Sequence, residues 1–344
     1  MSAQVLFATV SAVDEHDTGG GHPERFERLN SAADGIAEAM LHDAVVAEFN
    51  GRQASFDELA LVHDGQYLDA LEGFMNAGGG DLDPDTPTVG GSWSTALHAV
   101  GTGLVAIESL RRGEGSAAFV AVRPPGHHAT ASRAMGFCLL NNVAIGAASL
   151  AASGERVLIV DWDVHHGNGT QEIFWDDPRV LYVSTHQWPA YPGSGRASET
   201  GGAGAPGLTV NVPLPPGSSG DAALAAMDEI AAPVIARFDP TWVLISAGFD
   251  AHRDDPLADL VWSAGDFAAL TAKVASFAPQ QGRVVAYLEG GYDLPALARS
   301  VGATVAALAG ESWMPEPLTC GGPGREAVAV AARLRERKLG GGER

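Results

Sequence analysis

The 344-residue sequence contains only two cysteines, Cys138 and Cys320. Two cysteines are too few for a disulfide framework or for a zinc site built from thiolates. No apolar run reaches about 18 residues, the length that indicates a membrane-spanning helix. The first residues also lack the basic segment and the small-residue cleavage site of a signal peptide. We therefore expect a soluble, cytoplasmic protein.

Basic side chains are also scarce, because 21 Lys and Arg stand against 42 Asp and Glu, for a formal net charge of -21. A negative field of this size repels phosphate backbones and anionic membranes, which argues against nucleic-acid and membrane partners. We expect any charged partner to be cationic. The 46% of hydrophobic residues excludes a wholly disordered chain, and the length is sufficient for one large α/β domain.

Five short runs rich in Val, Ile, Leu and Phe are apolar on both faces, which is typical of parallel strands covered by helices on each side. They span residues 117–122, 157–160, 180–184, 242–246 and 284–288. Helical patterns lie before and between them, over residues 24–40, 56–74, 94–110, 142–152, 221–237 and 264–277. This alternation predicts an α/β fold with a parallel sheet. We expect a single domain over residues 1–344, of which residues 311–344 form a peripheral helix and a tail.

Titratable residues follow each of the five predicted strands directly. They lie in the segments 123–128, 161–168, 185–186, 247–250 and 289–293. The carboxyl ends of parallel strands meet at one edge of a sheet, where ligands bind in open α/β folds. The sequence therefore predicts an active site at this edge.

Asp161, Asp163 and His165 alternate along the chain after the second predicted strand. In an extended backbone, side chains two residues apart point to one face, so we expect these three to share a side. Two carboxylates and an imidazole around a divalent cation leave one position open for water, as in catalytic zinc sites. Asp250, at a neighbouring strand end, offers a further carboxylate. The alternative is that the two aspartates cap the next helix while His165 is packed.

His127 and His128 follow a Pro-Pro-Gly turn, where both imidazoles are able to approach a metal-bound water. A neutral imidazole there acts as a general base and a charged one as an electrostatic stabiliser. Asp161 and Asn168 are available as partners, because a carboxylate favours the cationic imidazole and an amide leaves the other neutral. A solvated pair of loop histidines is the alternative.

Tyr292 follows two glycines that permit a sharp turn near a substrate. Its hydroxyl is then placed to donate a hydrogen bond to a polarised carbonyl and to stabilise the developing oxyanion. A tyrosine that simply packs against a turn explains the pattern equally well.

The segments RPPGHHA, GFCLLNNVAIGA, VDWDVHHGNGTQEIFW, SAGFDAHRDDPL and EGGYD resemble motifs of the zinc-dependent histone deacetylase family, in the family's order. The similarity is to bacterial class II-like deacetylases and acetylpolyamine amidohydrolases, and it extends over residues 15–310 approximately. It implies an arginase-like fold, in which helices flank a central eight-stranded parallel sheet on both faces. It also implies the removal of acetyl or other short acyl groups from lysine side chains or small acylated amines by a metal-activated water.

The resemblance assigns roles to individual residues. The implied ligands of one zinc ion are Asp163, His165 and Asp250. The implied catalytic residues are the general base His128 with its partner Asn168, the electrostatic His127 with its partner Asp161, and the carbonyl-polarising Tyr292. The implied substrate-binding residues are Phe137 and Tyr191 in the tunnel walls, Gly126 and Gly290, which keep the tunnel narrow, and Asp85 and Leu257 at the rim. A structural potassium ion is implied at Asp161, Asp163, His165, Ser184 and Thr185, mostly through backbone carbonyls.

Rival functions differ in what they require of the sequence. In one subgroup of polyamine-selective relatives, an acidic residue occupies the place that matches Leu257. The leucine therefore favours acyl-lysine or a small acylated amide, with acetylpolyamine hydrolysis as the alternative. A dimanganese ureohydrolase needs more carboxylates than Asp161-x-Asp163-x-His165 and Asp250-x-His252 supply. A non-catalytic acyl-binding protein would not need the complete set of catalytic side chains. The loop around Asp85 also resembles a region that amidohydrolases use for dimerisation, so a homo-oligomer is included among the expectations.

Overall fold

The computed structural model describes residues 4–11, 13–41 and 46–340. Ten strands lie in this part of the chain: β1 (Val5–Thr9), β2 (Val46–Glu48), β3 (Gly79–Asp81), β4 (Pro87–Val89), β5 (Ala117–Ala121), β6 (Val157–Asp161), β7 (Val180–Gln187), β8 (Thr209–Leu214), β9 (Trp242–Ala247) and β10 (Val284–Leu288). Eight of them form one sheet in the order β2-β1-β5-β10-β9-β6-β7-β8. All neighbouring strands in it are parallel. The expectation of an eight-stranded parallel sheet is thus confirmed.

The five strands predicted from apolar runs are the contiguous centre of this sheet, β5, β10, β9, β6 and β7. Every residue in them is buried, whichever face it points to. Such burial requires layers on both faces, which is why these strands read as continuous apolar runs. The apolar runs did not indicate β1, β2 and β8, which lie outside the central five. Asn211 and Pro213 interrupt the apolar pattern of β8, which forms an edge of the sheet.

Eleven helices lie in the described residues: α1 (Glu27–Glu38), α2 (Phe56–Leu59), α3 (Gly65–Asn76), α4 (Ser92–Arg111), α5 (Asn142–Ala152), α6 (Asn168–Ile173), α7 (Gly220–Ala226), α8 (Ala232–Phe238), α9 (Ala264–Ala275), α10 (Leu294–Leu308) and α11 (Gly324–Gly340). A π-helical turn, Met227–Ala231, joins α7 to α8, so the helix predicted over 221–237 is continuous but locally widened. The residues in the helix α10 were not predicted as helical.

The helix predicted over residues 56–74 is two helices, α2 and α3. Between them, the buried imidazole of His63 bonds the carbonyl of Thr130 through Nδ1 (3.0 Å) and accepts from the backbone N–H of Asn141 through Nε2 (3.0 Å). The chain leaves the helical path here and His63 contacts the loop that follows β5. This long-range contact has no signal in the local pattern.

Two helical layers cover the sheet. Helices α4 and α5 pack on each other and contact central strands, while α1, α10 and α9 pack on one another in that order. The core made by these layers and the sheet is one large cluster of buried apolar side chains. No helix in the described part of the chain is long and apolar enough to cross a bilayer.

Helix α11 is the predicted peripheral helix, and it covers the outer strand β8. Its Val328 and Ala331 are buried, and the guanidinium of Arg335 donates hydrogen bonds to the carbonyls of Gly207 and Thr209. An unpaired sheet edge would otherwise expose these groups to pairing with another chain. Residues 341–344 of the predicted tail lie outside the described residues.

Candidate active site

The order of the strands in the sheet places the loops that carry the predicted site residues side by side. The five central strands are consecutive in the sheet and parallel, so the segments that follow β5, β10, β9, β6 and β7 emerge at one edge. A cavity of about 240 Å³ opens there. The predicted residues that line it are Asp85, His127, His128, Phe137, His165, Tyr191, Leu257, Gly290 and Tyr292, together with Pro125 and Gly136.

Asp163, His165 and Asp250 converge at the base of this edge. A ligand atom from each lies within 4.8 Å of the other two. His165 Nδ1 is 3.3 Å from Asp163 Oδ1 and 3.2 Å from Asp250 Oδ2. Both carboxylates are buried, and Gly290 N–H donates to Asp163 Oδ2 at 2.7 Å. The three side chains share one small volume although they come from two different strands.

The charges at this point fit a divalent cation. Burial and the neighbouring Asp163 raise the pKa of the Asp250 carboxyl to about 7. Burial alone lowers the pKa of His165, but its hydrogen bonds to Asp163 and Asp250 outweigh that effect and raise it to about 10. Both shifts arise because two carboxylates face each other in a poorly solvated place, and a cation relieves their repulsion. Two carboxylates and one imidazole are also a ligand set that zinc accepts.

Asp161 does not share a side with Asp163 and His165, contrary to the expectation from extended backbone. Strand β6 ends at Asp161, and the chain then turns. Asp163 N–H donates to Asp161 Oδ1 (3.1 Å) and His165 N–H donates to Asp163 Oδ1 (2.9 Å). These turn contacts, rather than strand pleating, bring His165 to Asp163. Asp161 itself points to His127.

His127 is paired with Asp161. The distance from His127 Nδ1 to Asp161 Oδ2 is 3.1 Å, and Tyr182 donates its hydroxyl proton to the same oxygen at 3.0 Å. Burial lowers the pKa of His127, but the negative charges of Asp161, Asp163 and Glu289 outweigh it and raise the pKa to about 10. The imidazole of His127 is therefore cationic at neutral pH.

His128 is paired with a neutral partner. Its Nδ1 lies 2.8 Å from Asn168 Oδ1, so Nδ1 carries the proton and Nε2 is free to accept another. Burial, followed by the positive charges of His127 and His165, lowers the pKa of His128 well below its usual value. The two histidine rings are 4.0 Å apart between centroids, yet they hold opposite protonation states. These two environments suit His128 to the role of a base and His127 to that of an electrostatic group.

Tyr292 faces the cavity from the loop that follows β10. Asp293 caps helix α10 by accepting from Ala296 N–H (2.9 Å), so Tyr292 is the second-last residue before that helix. Asp255 Oδ2 accepts from Tyr292 N–H at 2.7 Å and holds the turn. The ring is partly exposed because it lines the cavity, but desolvation by the surrounding protein raises the pKa of its hydroxyl well above the usual value. Tyr292 is therefore a phenol, and a hydrogen-bond donor, at neutral pH.

Aromatic rings form the walls of the cavity. Phe137 is edge-on to Tyr292, with ring centroids 5.8 Å apart, and Tyr191 is edge-on to His128 at 5.1 Å. The backbone of Phe137 has a positive φ of 66°, in the left-handed region that phenylalanine seldom adopts. Thr86 Oγ1 accepts from Phe137 N–H at 3.1 Å and supports this conformation. Strain of this kind is common where a side chain must be aimed at a ligand.

The rim of the cavity carries Asp85 and Leu257. Asp85 lies in the turn of the short β3–β4 hairpin, where the sequence indicated only a loop. Leu257 is 41% exposed at the mouth. His22 packs edge-on against Phe137, and its Nε2 lies 3.2 Å from the carbonyl oxygen of Asp85.

The two glycines expected to narrow the tunnel have different positions. A Cβ at Gly290 would lie 2.1 Å from Asp250 Oδ2, so this glycine permits the close approach of the chain to the carboxylates. Gly126 lies between Pro125 and His127, which line the cavity, and its role in the tunnel stays a prediction. A Cβ there would lie 2.5 Å from the backbone nitrogen of Asn142, so Gly126 packs against the start of α5.

Ser184 and Thr185, the residues implied for potassium, are buried in β7, and Ser184 is the direct neighbour of Asp161 in the sheet. Ser184 Oγ is 2.9 Å from His186 Nδ1. Thr185 Oγ1 is buried and has no hydrogen-bond partner in the described part of the chain. His252, which stands in the Asp250-x-His252 segment where a ureohydrolase would need a further carboxylate, lies 2.8 Å from Glu316 Oε2 through Nε2.

Sequence patterns missed the buried ionic residues that support the site. Arg28 donates to the carbonyls of Glu289 and Gly291 and stacks its guanidinium 4.9 Å from the ring centroid of Tyr292. Glu24 binds both Arg28 (3.2 Å) and Arg123 (2.8 Å), and all three side chains are buried. Only Arg123 has a signal in the sequence, because it directly follows an apolar run, and this signal does not identify its partner.

Comparisons with known proteins agree with this geometry. A sequence profile of the histone deacetylase domain matches residues 22–308. A probable deacetylase of Archaeoglobus fulgidus is 39% identical over 318 residues, 88% of each chain. A histone deacetylase-like amidohydrolase of Pseudomonas aeruginosa is 40% identical over 244 residues, which are 70% of this chain and 64% of the relative. The crystal structure of the HDA15 HD domain matches with a TM-score of 0.88 and 33% identity, over 98% of this chain and 97% of the other.

Proposed function

The chain belongs to the histone deacetylase family and is a hydrolase of amide bonds, and we propose that it uses zinc to remove short acyl groups. The substrates proposed are acylated lysine side chains or small acylated amines. The observation that carries the proposal is the cavity of about 240 Å³, which Tyr292, His127, His128 and His165 line together. It joins an acid–base pair, a hydrogen-bond donor and a candidate metal ligand at one place.

Asp163, His165 and Asp250 would hold the zinc ion. Their donor atoms are close together, and the two buried carboxylates repel each other in the absence of a cation. Zinc in such a site supplies Lewis acidity, which lowers the pKa of a bound water and polarises an acyl oxygen. Ser184 and Thr185, with the backbone near Asp161, are the proposed place for a structural potassium ion.

His128 is the proposed general base and acid. Its low pKa and its hydrogen bond to the neutral Asn168 leave Nε2 unprotonated, so it takes the proton of the attacking water. His128 then gives this proton to the nitrogen of the departing amine. The products are a carboxylic acid and an amine, which leave as carboxylate and ammonium after the acid proton passes to the amine. His127, kept cationic by Asp161, stabilises the negative charge that develops beside it.

Tyr292 is the proposed donor to the acyl oxygen. As the water attacks, that oxygen gains negative charge, and a preorganised hydroxyl stabilises this charge more than it stabilises the neutral amide. Phe137 and Tyr191 would pack against the aliphatic part of the acylated side chain. The net charge of -21 favours the approach of cationic peptides or amines.

A substrate comparison tests the proposed function. Purified protein loaded with zinc should hydrolyse an acetyl-lysine peptide, lose activity when a chelator removes the metal, and regain it when zinc is restored. His128→Ala should bind zinc at one ion per chain and show little turnover. Acetylputrescine serves as the comparison substrate, and a strong preference for it would identify an acetylpolyamine amidohydrolase. Binding of acetyl-lysine without turnover in the zinc form would contradict hydrolysis.

A further inference from the structure

Glu289 is a buried carboxylate that the mechanism above does not use. It follows β10 directly and its side chain is fully buried. Within the described residues, no lysine or arginine forms a salt bridge with its carboxylate. A buried carboxyl group is costly unless its oxygens accept hydrogen bonds, so its contacts indicate what it does.

The groups that contact the carboxylate of Glu289 are all hydrogen-bond donors. Oε2 accepts from the backbone N–H of Gly126 at 2.7 Å and from that of His127 at 3.1 Å. Oε1 is 3.1 Å from Ser246 Oγ on the adjacent strand β9. Two successive N–H groups that point at one oxygen form an anion-binding concavity of the chain itself. The carboxylate therefore connects the loop that carries His127 and His128 to strand β9.

The backbone of His127 is also held at its carbonyl group. Its carbonyl accepts from the N–H groups of Gly169 (3.1 Å) and Thr170 (3.2 Å) at the start of α6. With the N–H on Glu289 and the carbonyl on α6, the backbone between the two histidines has little freedom to rotate. The direction of both imidazoles depends on this backbone.

We propose that Glu289 is a positioning residue, whose carboxylate holds the backbone at Gly126 and His127 so that His127 and His128 face the reacting amide. The inference rests on the proposed deacetylation for its kinetic consequence, but the backbone contact is independent of any substrate. This role requires a side chain that is long enough to reach both N–H groups, and an oxygen that accepts hydrogen bonds from them. Negative charge is not required for this contact, because an amide oxygen accepts the same two hydrogen bonds, and Asp161 makes the larger contribution to the raised pKa of His127.

Two variants separate reach from charge. Glu289→Gln keeps the length and an acceptor oxygen, and its amide is able to donate to Ser246 Oγ. Glu289→Asp keeps the charge but is one methylene shorter, so its oxygens fall short of both N–H groups. In the zinc-loaded protein we expect kcat of Glu289→Gln to stay within about threefold of the native value. We expect Glu289→Asp to lose about 100-fold in kcat, with little change in KM, because misplaced catalytic groups impair the chemical step more than binding.

Ser246→Ala is the matched control, since it removes one hydrogen bond of the same carboxylate and leaves both backbone contacts in place. It should keep native kcat. Hydrogen exchange of the Gly126 and His127 amides gives a readout that needs no substrate. Exchange should be faster by about tenfold or more in Glu289→Asp, and close to native in Glu289→Gln and Ser246→Ala.

The outcomes are distinct. An active Glu289→Asp with an inactive Glu289→Gln would show that charge matters and would overturn the positioning role, and so would unchanged amide exchange in Glu289→Asp. If the native protein does not hydrolyse acetyl-lysine but the exchange pattern is as expected, the proposed function fails while the role of Glu289 stands.

Discussion

The most informative single substitution is Asn168→Asp, which replaces the neutral partner of His128 by a charged one. His127, which already has a carboxylate as its partner, serves as the reference for this change. His127, whose Nδ1 is 3.1 Å from the carboxylate of Asp161, has a pKa of about 10, while the pKa of His128, 2.8 Å from the amide of Asn168, is far below its usual value. Both imidazoles are buried to the same extent.

The size of the effect follows from the distance. With about 4 Å between the centres of charge and an effective dielectric constant of about 20, the attraction is about 4 kcal/mol, or about 3 pKa units. Asn168 is partly exposed, so solvent reduces this to about 2 to 3 units. A base works when neutral, so activity is lost as pH falls through its pKa. Raising the pKa of His128 therefore moves the acid limb of the kcat/KM profile to higher pH by the same amount.

The assay is kcat/KM against pH for the zinc-loaded native protein and the variant, with zinc content measured for both. Asn76→Asp is the charge-matched control, because this residue is exposed at the end of α3 and does not line the cavity. The reasoning is refuted if the acid limb of Asn168→Asp does not move, or if Asn76→Asp moves it equally.

Four further predictions concern the proposed roles and the fold. Tyr292→Phe should lower kcat by about 10²–10³-fold, the usual loss of one oxyanion donor, with zinc content unchanged by metal analysis. Asp250→Ala should reduce bound zinc from one ion per chain to nearly none after dialysis, and a full complement of zinc would argue against its assignment as a ligand. Leu257→Glu should increase kcat/KM for acetylputrescine relative to an acetyl-lysine peptide by about tenfold, since a rim carboxylate attracts the distal ammonium. Phe119→Ala should destabilise the folded protein by about 3–5 kcal/mol in denaturant unfolding, because this ring is fully buried in the central strand β5.

Local patterns were sufficient for several features. Because both faces of the central strands are buried, their residues are apolar at every position, and such runs are visible without any structure. A parallel arrangement then requires their polar successors to meet at one edge. The prediction that His127, His165, Asp250 and Tyr292 lie at the same edge of the sheet therefore needed no knowledge of strand order, whereas their proximity depends on it.

Other features depended on contacts that no local pattern contains. Asp161 was expected beside Asp163 from its spacing, yet the strand ends at Asp161 and its carboxylate turns to His127. The close packing of Gly126 against the start of α5 has no local signal either. For Asp161, the next turn of the chain, rather than residue spacing, determines where the side chain points.

The amino-acid sequence by itself determined the sheet type, the edge that carries the chemistry and the residue types available there, because burial and strand periodicity are local properties. Tertiary structure alone decided that Glu289 reaches Gly126. These two residues are 163 positions apart, and they meet because β10 lies beside β5 in the sheet. Strand order arises from the packing of the whole chain, so partnerships of this kind become visible only when the chain is folded.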